Sequence, residues 1–204
     1  MSKVILAVSS AAIGAGFLLG HRYRHWGASQ DERHCTLAGD ELLPAVDVSA
    51  TRAITIAADA DAVWPWVAQL GQGRGGFYSY DWLENLIPQV NIHNADHIVP
   101  EWQHIAVGSA VRLAPELPLD VVALEPGRAL VLRGGVPMGK VAPPYDFTWA
   151  FVLIPQPNGS TRLVVRERYF YTRRWAALIV RPAAVVSSVM SQKMLRGIKS
   201  RAQE

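Results

Sequence analysis

Glycines, aromatic residues and charges are packed together in the stretch from Gly71 to Asn85, which reads GQGRGGFYSYDWLEN. Glycine lets the backbone approach a partner closely, while tyrosine and tryptophan offer rigid contact surfaces with polar tips. This combination predicts the floor or the mouth of a ligand pocket. The candidate ligand-binding residues in it are Arg74, Phe77, Tyr78, Tyr80, Asp81 and Trp82.

The glycines of this stretch also suggest a phosphate-binding loop. They follow a helix-like segment, however, and no Gly-Lys-Ser/Thr closes the motif, so a tight turn that folds Phe77 and Tyr78 over a cavity is favoured. Arg74 is then either a solvated charge or a clamp for a ligand carboxylate. Asp81 and Glu84 are three residues apart, which fits an acid/base pair as well as two solvent-facing carboxylates on a first helical turn.

A second group of chemically competent residues contains His93, Asp96, His97 and Glu101, which are metal-ligand types. Their spacing is not that of an HExxH motif, and Pro100 argues against one continuous helix that presents them together. A hydrogen-bonded loop is the favoured interpretation. The sequence therefore predicts no metal site, and it gives no sign of a cofactor.

The elements that must position these residues include one clear β-hairpin, with arms over residues 145–154 and 161–172. Asn158-Gly159 lies between the arms and is typical of a hairpin turn. Both faces of the first arm are largely apolar, which predicts a strand that is buried on two sides.

The pairing across this hairpin decides which side chains share a face. If Asn158-Gly159 forms a two-residue turn, Ala150 lies opposite Glu167 and Thr148 lies opposite Tyr169. Glu167 and Tyr169 would then form a cavity wall across a face kept shallow by small residues, although a one-residue slip would exchange every assignment. The ligand-binding candidates outside the glycine-rich stretch are thus Glu167, Tyr169 and Trp102.

Other segments complete the predicted fold. A strand over residues 51–57 is followed by a helix that begins at Asp59 or Asp61. The chain closes on an amphipathic helix, whose long part is predicted to begin at Pro182 after a short helical lead-in. The remaining predicted elements are a short helix over 80–86, strands over 111–113, 119–124 and 129–133, and a tight turn over 125–128.

The N-terminal run from Val4 to Gly20 contains no charged residue and is flanked by Lys3, Arg22 and Arg24. A bilayer-spanning helix needs about 20 apolar residues, with a lower limit near 17. A single membrane anchor is favoured over a cleaved signal peptide and a buried core helix, because no clear small-x-small cleavage site closes the run. The slight excess of positive charge after the run predicts a domain on the cytoplasmic side. The predicted organisation is an anchor over 1–25, a linker over 26–50 that lies against the domain, and a ligand-binding domain over 51–204.

Composition narrows the class of protein further. Half of the 204 residues are apolar and 18% are charged, which fits one globular domain. The formal charge is +3 but the basic residues are scattered, so nucleic-acid binding is not predicted. The single Cys35 excludes an internal disulfide, and nothing in the sequence fixes the oligomeric state.

The order of the elements and several stretches of sequence carry a family resemblance. The stretches are TRAITIAADADAVWPWVAQLGQGRGGFYSYDWLENLI, PEWQHIAVGSAVRLAPE, ALEPGRALVL, TRLVVRER and a final KMLRGIKSRA. Over about Trp26 to Ala202 they resemble bacterial SRPBCC proteins of the START and polyketide-cyclase-like superfamily. The resemblance implies an α+β helix-grip fold, in which a curved antiparallel sheet wraps around a long C-terminal helix and leaves an apolar cavity. It transfers no universal catalytic residue, because the superfamily spans lipid carriers, hormone receptors, cyclases and chaperone cofactors.

Three functions remain open at this point. A membrane-anchored module that binds or transfers a hydrophobic small molecule, such as a lipid, a polyketide or a quinone-like compound, is favoured because no set of nucleophile, base and orienting group is visible. A cyclase, dehydratase or hydrolase acting without a cofactor in the same cavity is the alternative. It requires Asp81, Glu101 or Glu167 to be buried in the cavity beside a tyrosine or histidine. A scaffold for protein partners would instead have a filled core and an exposed apolar patch.

Overall fold

The computed structural model describes residues 24–85, 91–115, 117–135 and 142–204. Six strands form one antiparallel sheet in which the first strand pairs with the last. The strands are β1 (Val48–Ile56), β2 (Ala110–Ala114), β3 (Leu117–Glu125), β4 (Ala129–Gly134), β5 (Tyr145–Pro155) and β6 (Thr161–Tyr171), arranged in the order β1-β6-β5-β4-β3-β2.

Four α-helices are found in the described residues. Asp59 caps the helix over Ala60–Ala68 by accepting a hydrogen bond from the amide of Ala62 at 2.8 Å, as the sequence predicted. The helices are α1 (Gln30–His34), α2 (Ala60–Ala68), α3 (Asp81–Glu84) and α4 (Ala177–Ala202), and 3-10 turns lie at Asp40–Leu42, Pro100–Trp102 and Arg174–Ala176.

Helix α4 packs across one face of the sheet. Its Met194, Leu195 and Ile198 are buried in the same apolar core as the inward-facing residues of β1, β5 and β6. Gly197 lets the chain at Tyr78 approach the helix, since a Cβ at this glycine would lie 2.4 Å from the Tyr78 carbonyl oxygen. An antiparallel sheet around a long C-terminal helix is the α+β helix-grip arrangement that the family resemblance implied.

The opposite face of the sheet is covered by the segment that precedes β1. Arginines at alternate positions of β6 reach into this segment, because alternate side chains of a strand share a face. Arg162 Nε donates to Glu32 at 2.7 Å, and Arg168 Nη2 donates to the Leu43 carbonyl at 2.7 Å. Glu32 and Leu43 of the predicted linker thus lie against the sheet, and the assigned limits of the linker at residues 26 and 50 stay predictions.

The predicted pairing of the β5–β6 hairpin is wrong by one residue. Trp149 lies opposite Glu167, and Phe147 lies opposite Tyr169. Large aromatic side chains therefore stand beside the carboxylate and the phenol, where the sequence analysis expected the small residues Ala150 and Thr148.

The turn of the hairpin explains the shift. The amide of Gly159 donates to the carbonyl of Gln156 at 3.0 Å, and Gly159 has a φ of 77°. Pro157 favours the second position of a type I turn, and a following left-handed glycine makes the longer, bulged hairpin loop. Asn158-Gly159 is thus the end of a longer turn and not a two-residue turn by itself.

The prediction that α4 begins its long part at Pro182 is also wrong. The helix begins at Ala177 and runs through Pro182 without interruption. The proline leaves the Leu178 carbonyl without its usual helical donor. Leu178 is 80% exposed, so water can satisfy that carbonyl.

The predicted membrane anchor at Val4–Gly20 lies outside the described residues. Within the ranges that the structure describes, no helix combines the length and the apolar character that crossing a bilayer requires.

Candidate functional site

A cavity of about 640 Å³ lies between α4 and the sheet. This volume falls within the ~300–1,000 Å³ range of small-molecule sites. Leu113, Leu119 and Ile92 line it with aliphatic groups, and Met190 and Met194 of α4 close it from the helix side. The greater part of the wall is apolar, so the cavity suits an apolar molecule.

The aromatic part of the wall comes from alternate positions of β5 and β6. Phe147 and Tyr169 stack with ring centroids 4.6 Å apart. The ring centroid of Trp149 lies 4.8 Å from that of Phe151 and 6.0 Å from that of Phe77. These mutually packed rings form a rigid surface, because each ring restricts the rotamers of its neighbours.

One end of the cavity is polar, and we name Glu167, Tyr169, Ser187 and Ser191 the polar corner. All four residues line the cavity. Glu167 Oε1 accepts from Ser187 Oγ at 2.7 Å and from Ser191 Oγ at 3.1 Å. Glu167 Oε2 accepts from the Tyr169 hydroxyl at 3.2 Å. The three hydroxyl hydrogens therefore point at the carboxylate, and the hydroxyl oxygens keep lone pairs that can accept a hydrogen bond.

Arg52 holds the polar corner from behind. Its side chain is 0% exposed, and Nη1 lies 2.7 Å from Glu167 Oε1. Nη2 donates to Ser188 Oγ at 2.8 Å, and Ser188 donates in turn to the Ala184 carbonyl at 2.6 Å. This buried pair joins β1, β6 and α4 through charge-assisted hydrogen bonds.

The tyrosine of the polar corner is held in its neutral form. Burial raises the pKa of Tyr169 well above its usual value of 10.0, and the negative charge of Glu167 raises it further. A phenol with a raised pKa donates a hydrogen bond but releases its proton poorly at neutral pH. The corner thus presents a charged acceptor and hydroxyl oxygens to the cavity.

Three of the predicted ligand-binding residues line the cavity, namely Phe77, Glu167 and Tyr169. Arg74 is directed elsewhere. Its Nη2 donates to the carbonyl of Ala68 at 2.9 Å and to that of Trp102, so it ties the end of α2 to the 3-10 turn that contains Trp102. Neither Arg74 nor Trp102 is part of the cavity wall.

The remaining predicted residues are not part of the cavity wall. Tyr78 is 1% exposed, packs edge-on against Trp66 at 5.7 Å and has a φ of 55°. Burial raises the pKa of Tyr78 to about 12. Asp81 and Trp82 are exposed, and Tyr80 is half-buried with its ring 5.9 Å from Lys193 Nζ. Ligand binding by these four residues stays a prediction, and the structure places none of them in the cavity wall.

The residues that the sequence analysis missed are Arg52, Ser187, Ser188 and Ser191. One signal was present for Arg52, since it is the single charged residue on the inward face of β1, between Ala50 and Ile54. The serines gave a weaker signal, because serine on an amphipathic helix is usually solvated.

Of the three carboxylates that the enzyme hypothesis names as candidates in the cavity, one is buried there. Asp81 and Glu101 are exposed, whereas Glu167 is 1% exposed and bonded to a tyrosine. The metal-ligand types form no cluster of three in the part of the chain that the structure describes. His97 instead pairs with Asp96 at an exposed position, with Nδ1 and Oδ1 2.7 Å apart.

Several solved structures resemble this chain. The polyketide-cyclase-like protein Cgl2372 from Corynebacterium glutamicum is 16% identical over 74% of this chain and 88% of its own, with a TM-score of 0.40. A protein from Arthrobacter aurescens is 15% identical over 78% and 90%, with a TM-score of 0.45. CalU16 from Micromonospora echinospora is 18% identical over 76% and 83%, with a TM-score of 0.37.

No family model matches the sequence, and neither does a curated protein. A likeness this distant identifies no ligand and no reaction.

Proposed function

We propose that the protein binds an apolar small molecule in the cavity between α4 and the sheet. The observation that carries this proposal is a cavity of about 640 Å³ whose wall is largely apolar and includes the polar corner. Burial of apolar ligand surface supplies the affinity, at roughly 25 cal/mol per Å² before the costs of association. The polar corner then fixes one end of the ligand.

The chemistry of that corner favours a ligand whose polar end donates a hydrogen bond. Glu167 is an acceptor, and the hydroxyl hydrogens of Tyr169, Ser187 and Ser191 are already directed at it. An alcohol, a phenol or an amide N–H can donate to these oxygens. A ligand carboxylate would meet the negative charge of Glu167, and Arg52 lies behind that charge and is not part of the cavity wall.

Uptake of the neutral fluorophore N-phenyl-1-naphthylamine tests the proposal. We expect saturable binding of one probe per chain, with a blue-shifted emission. Ala183→Phe places a ring at an exposed position of α4 that lines the cavity, and we expect it to weaken probe binding at least tenfold. Ala62→Phe makes the same change at an exposed position of α2 outside the wall, and we expect no effect. Equal binding by both variants, or no binding by the parent chain, would contradict the proposal.

A proton-transfer enzyme, such as a cyclase, a dehydratase or a hydrolase, is the second candidate. The observation in its favour is that the carboxylate of Glu167 lines the cavity and is bonded to Tyr169. Against it, two serine hydroxyls and the Arg52 guanidinium already donate to Glu167 Oε1, which leaves that oxygen little room to accept a substrate proton. The raised pKa of Tyr169 also makes it a weak acid. Binding without turnover is therefore the better supported function.

We also propose that the chain acts at a membrane with its domain on the cytoplasmic side. The uncharged run at Val4–Gly20 supports this, and it is independent of the cavity. Protease protection of a C-terminal tag in intact and permeabilised spheroplasts tests the orientation. Full protection that is lost on permeabilisation is the expected result, and cleavage in intact spheroplasts would contradict it.

A further inference from the structure

The first half of α4 exposes a row of apolar side chains. Of the nine large apolar side chains that are exposed among the described residues, five lie between positions 175 and 189. Leu178 is 80% exposed and Val186 is 52% exposed. We name this row the exposed stripe, and it consists of Trp175, Leu178, Val185, Val186 and Val189.

The spacing of the stripe puts it on one side of the helix. Leu178, Val185 and Val189 follow intervals of seven and four residues, which keep side chains on the same face. The other side of this half of α4 carries the buried Val180 and Ala184, and Ser187 of the polar corner. The helix is therefore apolar on two sides over its first half, and only one of them is covered.

The charges around the stripe are positive. Arg173, Arg174 and Arg181 are exposed beside it, and no aspartate or glutamate occurs from residue 168 to residue 203. Asp47 contacts the chain just before the exposed stripe, where its carboxylate accepts a hydrogen bond from the Tyr171 amide at 2.7 Å. Further along the helix, the exposed Lys193 and Arg196 extend the positive charge.

We propose that this half of α4 docks on an anionic lipid bilayer, with the exposed stripe in the acyl-headgroup boundary and the arginines at the lipid phosphates. An apolar helix face flanked by arginines is the pattern of an interfacial helix. A second copy of the chain fits less well. A two-fold interface on the stripe would bring the arginines of both chains into one interface, and residues 168–203 contain no acidic residue to pair with them.

The position of the cavity mouth gives the docking a consequence. Val186 belongs to the stripe and also lines the cavity. Ala183, which is exposed but is not part of the stripe, lines the cavity too. The cavity therefore reaches the surface beside the docked face. An apolar molecule can pass between the bilayer and the cavity there without crossing water, although docking itself does not depend on what the cavity binds.

A fluorescent reporter on the stripe tests the docking in the full chain. In a Cys35→Ser background, Val185→Cys carries an environment-sensitive dye, and Val107→Cys, at a 63% exposed site away from α4, carries the control dye. With vesicles of phosphatidylcholine and phosphatidylglycerol, we expect a blue shift and quenching by brominated acyl chains at position 185 only. An unshifted dye at position 185 would overturn the proposal, even if the chain sediments with the vesicles through another segment. A shift that needs no vesicles and grows with protein concentration would also overturn it, in favour of a second copy.

The charge requirement is tested with the same reporter. Each basic residue near an anionic surface strengthens binding about fivefold, so Arg181→Gln should weaken vesicle binding by roughly that factor. Arg128→Gln removes an equal charge from the turn between β3 and β4 and should leave binding unchanged. Pure phosphatidylcholine vesicles should bind weakly to all variants. Equal affinity for both vesicle types would overturn the assignment of an anionic surface.

Discussion

The two faces of β6 both carry buried charges, but they use them differently. On the outer face, Arg166 donates to Thr51 Oγ1 at 3.1 Å, to the Cys35 carbonyl at 2.9 Å and to Asp40. On the inner face, Glu167 is bonded to Arg52 and borders the cavity. The outer cluster, Arg166 with its partners, attaches the segment before β1 to the sheet. The inner cluster, Arg52 and Glu167 with the serines around them, places oxygen atoms at the wall of the cavity.

This difference shows which buried charges are candidates for function. A buried pair whose partners all belong to the chain is explained by packing alone. The inner pair is also bonded within the chain, but the hydroxyl oxygens around it border an apolar cavity and can accept a further donor. Burial of a charge is thus no sign of a site by itself, and its position at a cavity wall is what matters.

The largest expected effect comes from breaking the inner pair. Arg52→Met leaves the Glu167 charge buried without its counter-charge, which should lower the free energy of unfolding by about 3–5 kcal/mol in urea denaturation. Arg52→Met with Glu167→Leu removes both charges and should recover most of the loss. A double variant as unstable as the single one would show that the pair is not the source of the stability.

Breaking the outer cluster should cost less and leave the cavity intact. Asp40 accepts from Arg166 and, at 3.0 Å, from Arg168 Nη1. Asp40→Asn should lower the free energy of unfolding by about 1–3 kcal/mol. Binding of N-phenyl-1-naphthylamine should not change, because Asp40 lies on the far face of the sheet. A probe affinity that fell with stability would mean that the two faces are coupled.

The inner face should be sensitive to alkali. The pKa of Tyr169 is raised in the folded chain by burial and then by Glu167, so the unfolded chain loses this proton first. Its stabilising contribution is complete below about pH 10 and is lost as the pH rises further, with a slope of up to about 1.4 kcal/mol per pH unit. Tyr169→Phe should flatten the fall in stability above pH 10, measured by urea denaturation at stepped pH. Tyr80→Phe, at a half-buried position outside the wall, serves as the control and should leave the profile as it is.

The outer face should be sensitive to acid, with a smaller effect. The hydrogen bond from Arg162 lowers the pKa of Glu32 below its usual value of 4.5. The resulting stability is present above that value and is lost as the pH falls through the folded pKa. Arg162→Met should therefore reduce the loss of stability between about pH 5 and pH 3, relative to the parent chain. An unchanged acid profile would show that this pair contributes no pH dependence.

Much of the fold could be predicted from the sequence, because its signals are local. Asp59 caps α2, residues 125–128 form a turn closed by a 2.9 Å bond from Arg128 N to Glu125 O, and the predicted strands lie within β2, β3 and β4. The hairpin register was missed because the sequence allows turns of two lengths. The start of α4 was missed because a proline is tolerated inside a helix when the carbonyl four residues before it can bond to water. Whether the Leu178 carbonyl is exposed depends on the tertiary structure and cannot be read from the local sequence.

The site was predicted only in part for a related reason. Glu167 and Tyr169 could be placed on one face from strand alternation alone. Arg52 and Ser188 meet across 136 positions of sequence, which no local pattern reports. Arg74 donates to two backbone carbonyls, a contact that its place in a glycine-rich turn did not predict.

Competition for the cavity by three compounds that are built on a twelve-carbon chain tests the central claim most directly. 1-Dodecanol, dodecyl methyl ether and dodecanoate share an apolar chain but offer the polar corner a donor, an acceptor and an anion. Displacing N-phenyl-1-naphthylamine should need about fivefold more of the ether than of the alcohol, since one hydrogen bond is lost. Dodecanoate should displace it more weakly still. Equal potency of all three, or the strongest displacement by dodecanoate, would contradict an accepting polar corner at Glu167.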